Sequence, residues 1–151
     1  MNAKIVYLDT SAIVKRYVLE RGTEVVKALY LSAWNGEAKI SFSLWNIGEV
    51  LGVLDKYRQK GWLGDNEYKA SRKMFLSETI RMLKLEILKI VPVKLSIVVE
   101  SWRLIENYHI YEADAIQIAS LRSINASEFY TADKKLCEIA GNERIKAICL
   151  D

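Results

Sequence analysis

Short apolar runs alternate with longer segments of helical periodicity along most of the chain. Residues 5–8 form a continuous apolar run rich in β-formers, which is typical of a parallel strand buried on both faces. Further short strands are predicted around residues 39–42, 87–93, 129–131 and 145–150. Strands that alternate with helices predict an α/β fold, with a mainly parallel five-stranded sheet and helices on both faces.

The segments between these strands have the periodicity of helices. Helical patterns follow Asp9 and then cover residues 23–34, 44–59, 65–85, 96–108, 113–122 and a segment from Lys134. The helices at 44–59 and 65–85 are separated by Gly61, a residue that commonly ends a helix. We therefore expect these two to form a helical hairpin.

Length and composition indicate one folding unit. The chain has 151 residues, of which 51% are hydrophobic, enough for one substantial core but short for two. A single proline and seven glycines leave no segment with the composition of a linker, and no repeat is visible. The expectation is a single domain over residues 1–151.

Net charge and targeting signals narrow the function only slightly. The formal charge of +3 is compatible with a polyanionic partner but is small enough to reflect solubility alone. The amino-terminal segment lacks the apolar core of a signal peptide, and no run approaches the roughly 18 apolar residues of a membrane span. A cytoplasmic protein with no membrane partner is expected.

The two cysteines do not point to a site. Cys137 and Cys149 are too few, and too apolar in their surroundings, for a disulfide framework or a zinc site. The expected environment is a reducing cytoplasm.

Two aspartates lie where predicted strands end. Asp9 closes the first strand and Asp133 follows the strand at 129–131. Ligand sites in open parallel sheets lie at the carboxyl ends of the strands, so the two are expected to meet in space. Each is explained equally well as the N-cap of the next helix, although Thr10 and Ser11 can also cap the first one.

Two further carboxylates lie on apolar helix faces. Asp114 shares its face with Ile118 and Leu121, and Glu49 has apolar neighbours four residues away on either side. An unpaired buried charge is costly, which favours a functional role for Asp114. The alternatives are that Asp114 is stabilised by the amino-terminal dipole of its helix, and that Glu49 reaches water from the edge of its apolar face.

These four residues suit a hard cation. Carboxylate oxygens without a histidine or cysteine cluster favour Mg²⁺ or Mn²⁺ over Zn²⁺. Carboxylates gathered in one cleft also repel one another unless a cation is present. A divalent cation in such a site activates a water molecule for attack on phosphorus.

The order and setting of these residues resemble the PIN-domain family, and within it the VapC-type toxins of prokaryotic toxin–antitoxin pairs. The resemblance covers nearly the whole chain and depends on the ordered set rather than on any one motif. The set consists of Asp9-Thr10-Ser11 after an apolar strand, Glu49 in mid-helix, Ala113-Asp114-Ala115 at a helix start, and Thr131-Ala132-Asp133 after a strand.

The resemblance implies a fold, an activity and partners. The fold is a PIN-like three-layer arrangement with strand order 3-2-1-4-5. The activity is that of a Mg²⁺-dependent endoribonuclease, and the partners are a second copy of the chain and a small VapB-like antitoxin. Asp9, Glu49, Asp114 and Asp133 would be the catalytic, metal-binding quartet, with Ser11 and Thr131 orienting carboxylates by hydrogen bonds.

Other residues are weaker candidates. Candidate phosphate contacts near the strand ends are Lys15, Arg16, Lys134 and Lys135. His109 either lines the groove or, as is more common for a lone histidine, lies at a helix end. Trp45, Trp62 and Tyr68 either fill core, the favoured interpretation for each of them, or contact a partner.

Two other function classes remain open. Haloacid-dehalogenase-like phosphatases also place an aspartate after the first strand, but their motif requires a second aspartate where this chain has Ser11. A PIN-like module that binds RNA or protein without cleaving it would have the same acidic pocket. An RNA-processing nuclease outside a toxin–antitoxin pair is a further alternative.

Overall fold

The computed structural model describes residues 3–150, so the ends of the predicted domain, at residues 1, 2 and 151, lie outside the described residues. The strands are β1 (Lys4–Leu8), β2 (Ala38–Ser43), β3 (Leu88–Val91), β4 (Glu128–Thr131) and β5 (Ala147–Cys149). The helices are α1 (Thr10–Tyr17), α2 (Thr23–Trp34), α3 (Leu44–Gln59), α4 (Asp65–Lys84), α5 (Leu95–Tyr108), α6 (Glu112–Ser123) and α7 (Lys134–Asn142). No helix in this part of the chain is long and apolar enough to cross a membrane.

The five strands form one sheet in the order β3-β2-β1-β4-β5, and every pairing is parallel. Strand β1 is central, and Tyr7 lies opposite Ser41 of β2 and Phe129 of β4. The predicted α/β class and the order 3-2-1-4-5 are confirmed. The parallel arrangement brings the carboxyl ends of β1, β2 and β4 to the same edge of the sheet.

Alternating side chains of the central strand enter two separate cores. Val6 and Leu8 pack with residues of α1 to α4 on one face of the sheet, whereas Tyr7 packs with residues of α5, α6 and α7 on the other. All three are fully buried. A strand covered on both faces must be apolar throughout, which explains the continuous run at residues 5–8.

Two strands are shorter than predicted. Strand β3 ends at Val91 because Pro92 follows, and proline has no N–H to donate to a strand ladder. Strand β5 begins at Ala147 rather than at Ile145. The backbone N–H of Ile145 donates instead to the carbonyl of Ala140 and so completes the end of α7.

The two cysteines pair, although their number and apolar setting did not indicate a disulfide framework. Cys137 of α7 and Cys149 of β5 form a disulfide, with their Cα atoms 6.0 Å apart. The sequence did not indicate this pairing because the residues become neighbours only when α7 packs back on β5. The bond joins the helix that follows Asp133 to the strand next to Thr131.

Helices α3 and α4 form the predicted hairpin, and its aromatic residues are more exposed than expected. Trp45 is 44% exposed and Trp62 is 63% exposed, so the interpretation of both as core residues was wrong. Tyr68 is partly buried and lies beneath the guanidinium of Arg58. The hairpin therefore presents indole surface to solvent.

Candidate active site

One cavity of about 600 Å³ lies where the carboxyl ends of the central strands meet the first turns of helices. All four predicted carboxylates line it. Asp9 follows β1, Asp133 follows β4, Glu49 lies in α3 and Asp114 lies in the first turn of α6. The other lining residues are Thr10, Ser11, Val14, Lys15, Glu20, Arg21, Val53, Tyr57, Gln117, Ala132 and Leu136.

Asp9 is the most buried of the four, with 4% of its surface exposed. Its Oδ1 accepts hydrogen bonds from Ser11 Oγ at 2.6 Å and from the backbone N–H of Ala12 at 3.0 Å. Its Oδ2 accepts one from Thr131 Oγ1 at 2.5 Å. Asp9 is thus both the N-cap of α1 and the acceptor of two hydroxyl groups. Thr10 and Ser11 do not replace it as the cap.

All three of these donors are neutral, so they do not compensate the charge of Asp9. Burial raises its pKa to about 6, although the hydrogen bonds from Ser11, Thr131 and Ala12 act in the opposite direction. The negative charge of Asp133 raises the pKa further. A cation in the cavity would relieve both effects.

Ser11 and Thr131 also tie the end of β4 to the start of α1. Ser11 Oγ accepts a hydrogen bond from the backbone N–H of Ala132 at 2.8 Å, and Thr131 Oγ1 accepts one from the N–H of Asp133 at 3.0 Å. Each hydroxyl therefore accepts from the backbone of one segment and donates to Asp9. This is the geometry expected of residues that orient a carboxylate.

Asp133 is exposed and caps α7. Its Oδ1 accepts hydrogen bonds from the backbone N–H groups of Lys135 at 2.9 Å and Leu136 at 3.1 Å. The cap and the site were alternative interpretations of this residue, and the structure combines them. One carboxylate oxygen holds the helix start, while the residue lines the cavity.

Asp114 is partly buried in the first turn of α6. The seven residues that follow it, 115–121, are all buried. Burial raises the pKa of Asp114, the charges of Asp133 and Glu49 raise it further, and Lys135 lowers it. The carboxylates are thus close enough to influence one another through space.

Glu49 is partly buried, and Thr10 Oγ1 donates a hydrogen bond to its Oε1 at 2.8 Å. Sequence reasoning missed this role of Thr10, and it also missed Asn46 and Gln117. Asn46 Nδ2 donates to Thr10 Oγ1 at 2.9 Å, and Gln117 lines the cavity. A usable signal was present, since Asn46 and Gln117 are amides within apolar helix segments.

The basic candidates divide into two groups. Lys15 lines the cavity and pairs with Glu20 at 3.2 Å, and Arg21, which the sequence did not single out, lines it as well. Arg16 does not line the cavity, and its guanidinium binds Glu78 of α4. This pairing argues against the interpretation of Arg16 as a phosphate contact.

His109 lies at a helix end. It is the exposed C-cap of α5 with a φ of 57°, and it is absent from the cavity lining. Lys135 Nζ donates to its backbone carbonyl at 3.4 Å. The helix-end interpretation of His109 therefore agrees with the structure.

The chemistry of the cavity fits a hard divalent cation. It offers four carboxylates, and the most buried of them has only neutral donors around it. Across residues 3–150, no three histidine, cysteine or acidic side chains are already grouped tightly enough to hold an ion.

Comparison with known proteins gives one family match. A family described as PIN domain matches residues 6–142. No curated protein matches the chain significantly.

Several solved structures share the fold across most of their length. VapBC2 from Rickettsia felis, bound to a DNA fragment from its promoter, aligns with a TM-score of 0.65 at 18% identity, over 97% of this chain and 99% of that one. FitAcB from Neisseria gonorrhoeae aligns with a TM-score of 0.66 at 14% identity, over 95% and 96%.

Another similar structure is VapC20 of Mycobacterium tuberculosis, described as a toxin that cleaves the sarcin–ricin loop. It aligns with a TM-score of 0.64 at 17% identity, over 90% of this chain and 95% of that one. At such identities the likeness establishes the fold alone.

Proposed function

The chain belongs to the PIN-domain family, and from that premise we propose that it is a metal-dependent endoribonuclease that hydrolyses RNA phosphodiester bonds as the toxin of a VapBC-type pair. The observation that carries the proposal is the convergence of Asp9, Glu49, Asp114 and Asp133 on one cavity. These residues are far apart in sequence, and gathering several carboxylates in one cavity is unfavourable unless the site serves a cation.

The same four residues would hold Mg²⁺ or Mn²⁺. A bound cation of this kind supplies a more acidic water and offsets charge on the phosphate oxygens. Asp9, held by Ser11 and Thr131, is the most rigidly placed ligand. These hydrogen bonds would orient the Asp9 carboxylate toward a cation.

Basic side chains at the rim would bind the RNA backbone. Lys15 and Arg21 line the cavity, and Lys134 and Lys135 begin α7 beside Asp133. Contacts from lysine and arginine to phosphate position a nucleic acid without reading its sequence. The cavity would therefore hold one phosphodiester, and its rim would bind phosphate groups.

We also propose a homodimer and a small antitoxin partner. One of the similar structures is described as a toxin–antitoxin complex from Klebsiella pneumoniae. Trp45 and Trp62 expose indole surface on the α3–α4 hairpin, as residues that dock against another chain commonly do. Light scattering of the purified protein, alone and with the product of an adjacent short reading frame, tests both partners.

The activity is tested by incubating single-stranded and structured RNAs with the protein in Mg²⁺, Mn²⁺ or EDTA. Cleavage is expected with either cation and not with EDTA. The Asp9→Asn/Asp114→Asn variant should be inactive. The Asp55→Asn/Asp65→Asn variant is a matched control, because it makes the same chemical change twice outside the cavity.

Other outcomes would select a different function. Cleavage that persists in the Asp9→Asn/Asp114→Asn variant would refute the assignment of the site. RNA binding that is independent of divalent cations, without cleavage, would identify a binding module. Cleavage without an antitoxin gene nearby would favour an RNA-processing nuclease.

We place the protein in the cytoplasm, where its RNA substrate is found. A reducing compartment keeps most protein thiols free. Thiol labelling in intact cells should therefore modify Cys137 and Cys149 if the protein is cytoplasmic. Labelling only after reduction would indicate an oxidising compartment, in which their disulfide persists.

A further inference from the structure

A chain of hydrogen bonds runs from the start of α3 to Glu49. The backbone N–H of Ser43 donates to Asn46 Oδ1 at 2.7 Å, and Asn46 Nδ2 donates to Thr10 Oγ1 at 2.9 Å. Thr10 Oγ1 in turn donates to Glu49 Oε1 at 2.8 Å. The chain connects two residues of α3 through the first residue of α1, thirty-nine positions from Glu49.

The direction of every proton in this chain follows from its first bond. Because the N–H of Ser43 can only donate, the oxygen of the Asn46 amide must face it, and the amino group must face Thr10. The Thr10 hydroxyl accepts from that amino group, so its single proton is left for Glu49. A carboxylate oxygen accepts hydrogen bonds, and the chain therefore ends on Glu49 Oε1.

The amide of Asn46 is enclosed beside the central strand. Asn46 and Tyr7 are both fully buried. Tyr7 Oη donates to Gln117 Oε1 at 2.8 Å and lies 3.4 Å from Asn46 Oδ1. Gln117 lies in α6, three residues after Asp114. Polar groups buried this deeply adopt one arrangement, since an alternative would leave a donor unsatisfied.

We propose that Asn46 is a positioning residue for Glu49, acting through the Thr10 hydroxyl to hold the Glu49 carboxylate in the orientation that binds the divalent cation. This inference rests on the proposed function, because it assumes that Glu49 is a cation ligand. Asn46 has a second role, in that its side chain completes the capping box of α3 with Ser43. The test must separate positioning from capping.

Two pairs of variants achieve this separation. Thr10→Val removes the hydroxyl, keeps the branched shape and leaves the cap of α3 intact, while Thr10→Ser restores the hydroxyl. Asn46→Leu removes both the amide and its part in the cap. Ser43→Ala is its matched control, because it removes only the hydrogen bond that the backbone N–H of Trp45 donates to Ser43 Oγ.

The readout is Mn²⁺ affinity, measured by isothermal titration calorimetry, together with unfolding in urea. Thr10→Val and Asn46→Leu should each weaken Mn²⁺ binding by about 10- to 100-fold, the usual effect of losing a partner that orients a metal ligand. Thr10→Ser should stay within about threefold of wild type, and Ser43→Ala should lose stability but not affinity. The Thr10→Val/Asn46→Leu double variant should bind no more weakly than the weaker single variant, because both changes break one chain.

Two results would overturn the inference while leaving the proposed function in place. One is wild-type Mn²⁺ affinity in Thr10→Val, and the other is full additivity in the double variant, with RNA cleavage by the wild type in either case. A wild-type protein that neither binds Mn²⁺ nor cleaves RNA would be a different failure. It would refute the proposed function and, with it, the positioning role.

Discussion

Two carboxylates are buried near opposite ends of helix α1, and they differ in the charge of their hydrogen-bond donors. Asp9 precedes the helix and is 4% exposed, while Glu78 of α4 packs near its other end and is 8% exposed. Glu78 accepts hydrogen bonds from Arg16 Nε at 3.0 Å and Nη2 at 2.8 Å, and others from Tyr17 and Trp34. Asp9 accepts hydrogen bonds from neutral groups.

This difference reverses the shift in pKa. Burial alone would raise the pKa of both residues. At Glu78 the bidentate hydrogen bonds and charge of Arg16, together with the hydrogen bonds from Tyr17 and Trp34, more than offset burial, and its pKa is lowered. At Asp9 burial prevails, and the pKa rises to about 6.

The comparison teaches that burial of a carboxylate does not by itself mark a functional site. Glu78 pairs with the guanidinium of Arg16, and this ion pair holds α1 and α4 together. Asp9 is oriented by hydroxyl groups and faces a cavity, so its charge remains available to a cation from solution. The charge of the partner separates the structural carboxylate from the candidate ligand.

The largest expected effect is on catalysis at Asp9. Asp9→Asn should reduce RNA cleavage by about a thousandfold, which corresponds to about 4 kcal/mol of transition-state stabilisation. In EDTA the variant should be at least as stable as wild type, because a buried charge has been removed. Initial cleavage rates and urea unfolding in EDTA measure the two quantities. If the variant kept its activity, Asp9 would have a structural role, as Glu78 does, and would not be a metal ligand.

The converse effect is expected at Glu78. Glu78→Gln should lower the free energy of unfolding by about 3 kcal/mol, because it leaves Arg16 partly buried without its counterion. Cleavage per folded molecule should stay within about twofold of wild type. Glu106→Gln, at an exposed position of α5, is the control for loss of charge. A stable but inactive Glu78→Gln protein would contradict the structural assignment.

A divalent cation should stabilise the folded protein by binding at Asp9, and Glu78 should not contribute to this effect. At about thirty times its Kd, Mg²⁺ should stabilise the wild type by about 2 kcal/mol. Glu78→Gln should gain a similar amount and Asp9→Asn much less. Thermal unfolding with Mg²⁺ and with EDTA checks this. Equal stabilisation of all three proteins would show that Mg²⁺ binds elsewhere.

The smallest expected effect is on the stability of the protein at acid pH. The pKa of Glu78 is lowered in the folded state. The contribution of ionised Glu78 to the free energy of unfolding is therefore complete above its unfolded pKa of about 4.5, and it is lost as the pH falls through the folded pKa. Wild type should therefore lose more stability than Glu78→Gln between pH 5 and pH 3. Urea unfolding at the two pH values measures the difference in free energy of unfolding between wild type and Glu78→Gln, which should be smaller at pH 3. A difference that stays constant would argue against the Arg16 contact.

Local patterns were sufficient for most elements. Helices α2 and α3 begin and end at the predicted residues, because caps, glycines and apolar periodicity act over a few positions. The predicted ends of β3 and β5 were less accurate. The backbone N–H of Ile145 donates to Ala140 at the end of α7, and a pattern of apolar residues does not reveal such a hydrogen bond.

The site was partly predictable. The order of its acidic residues along the chain indicated the quartet, and the parallel sheet brings all four to one cavity. Their ligand roles remain a prediction. The hydrogen bond from Thr10 to Glu49 and the hydrogen bonds from Arg16 to Glu78 were not foreseen, because each joins helices far apart in sequence.

The sequence by itself determined the α/β class, the strand order through the family resemblance, and the set of carboxylates, because these depend on residue type and order. Only the tertiary structure decided which charges were compensated. Arg16 and Lys15 are adjacent in sequence, yet one neutralises a buried glutamate while the other lines the cavity. Neighbours on a helix point in directions about 100° apart, so packing, not position in the chain, selects their partners.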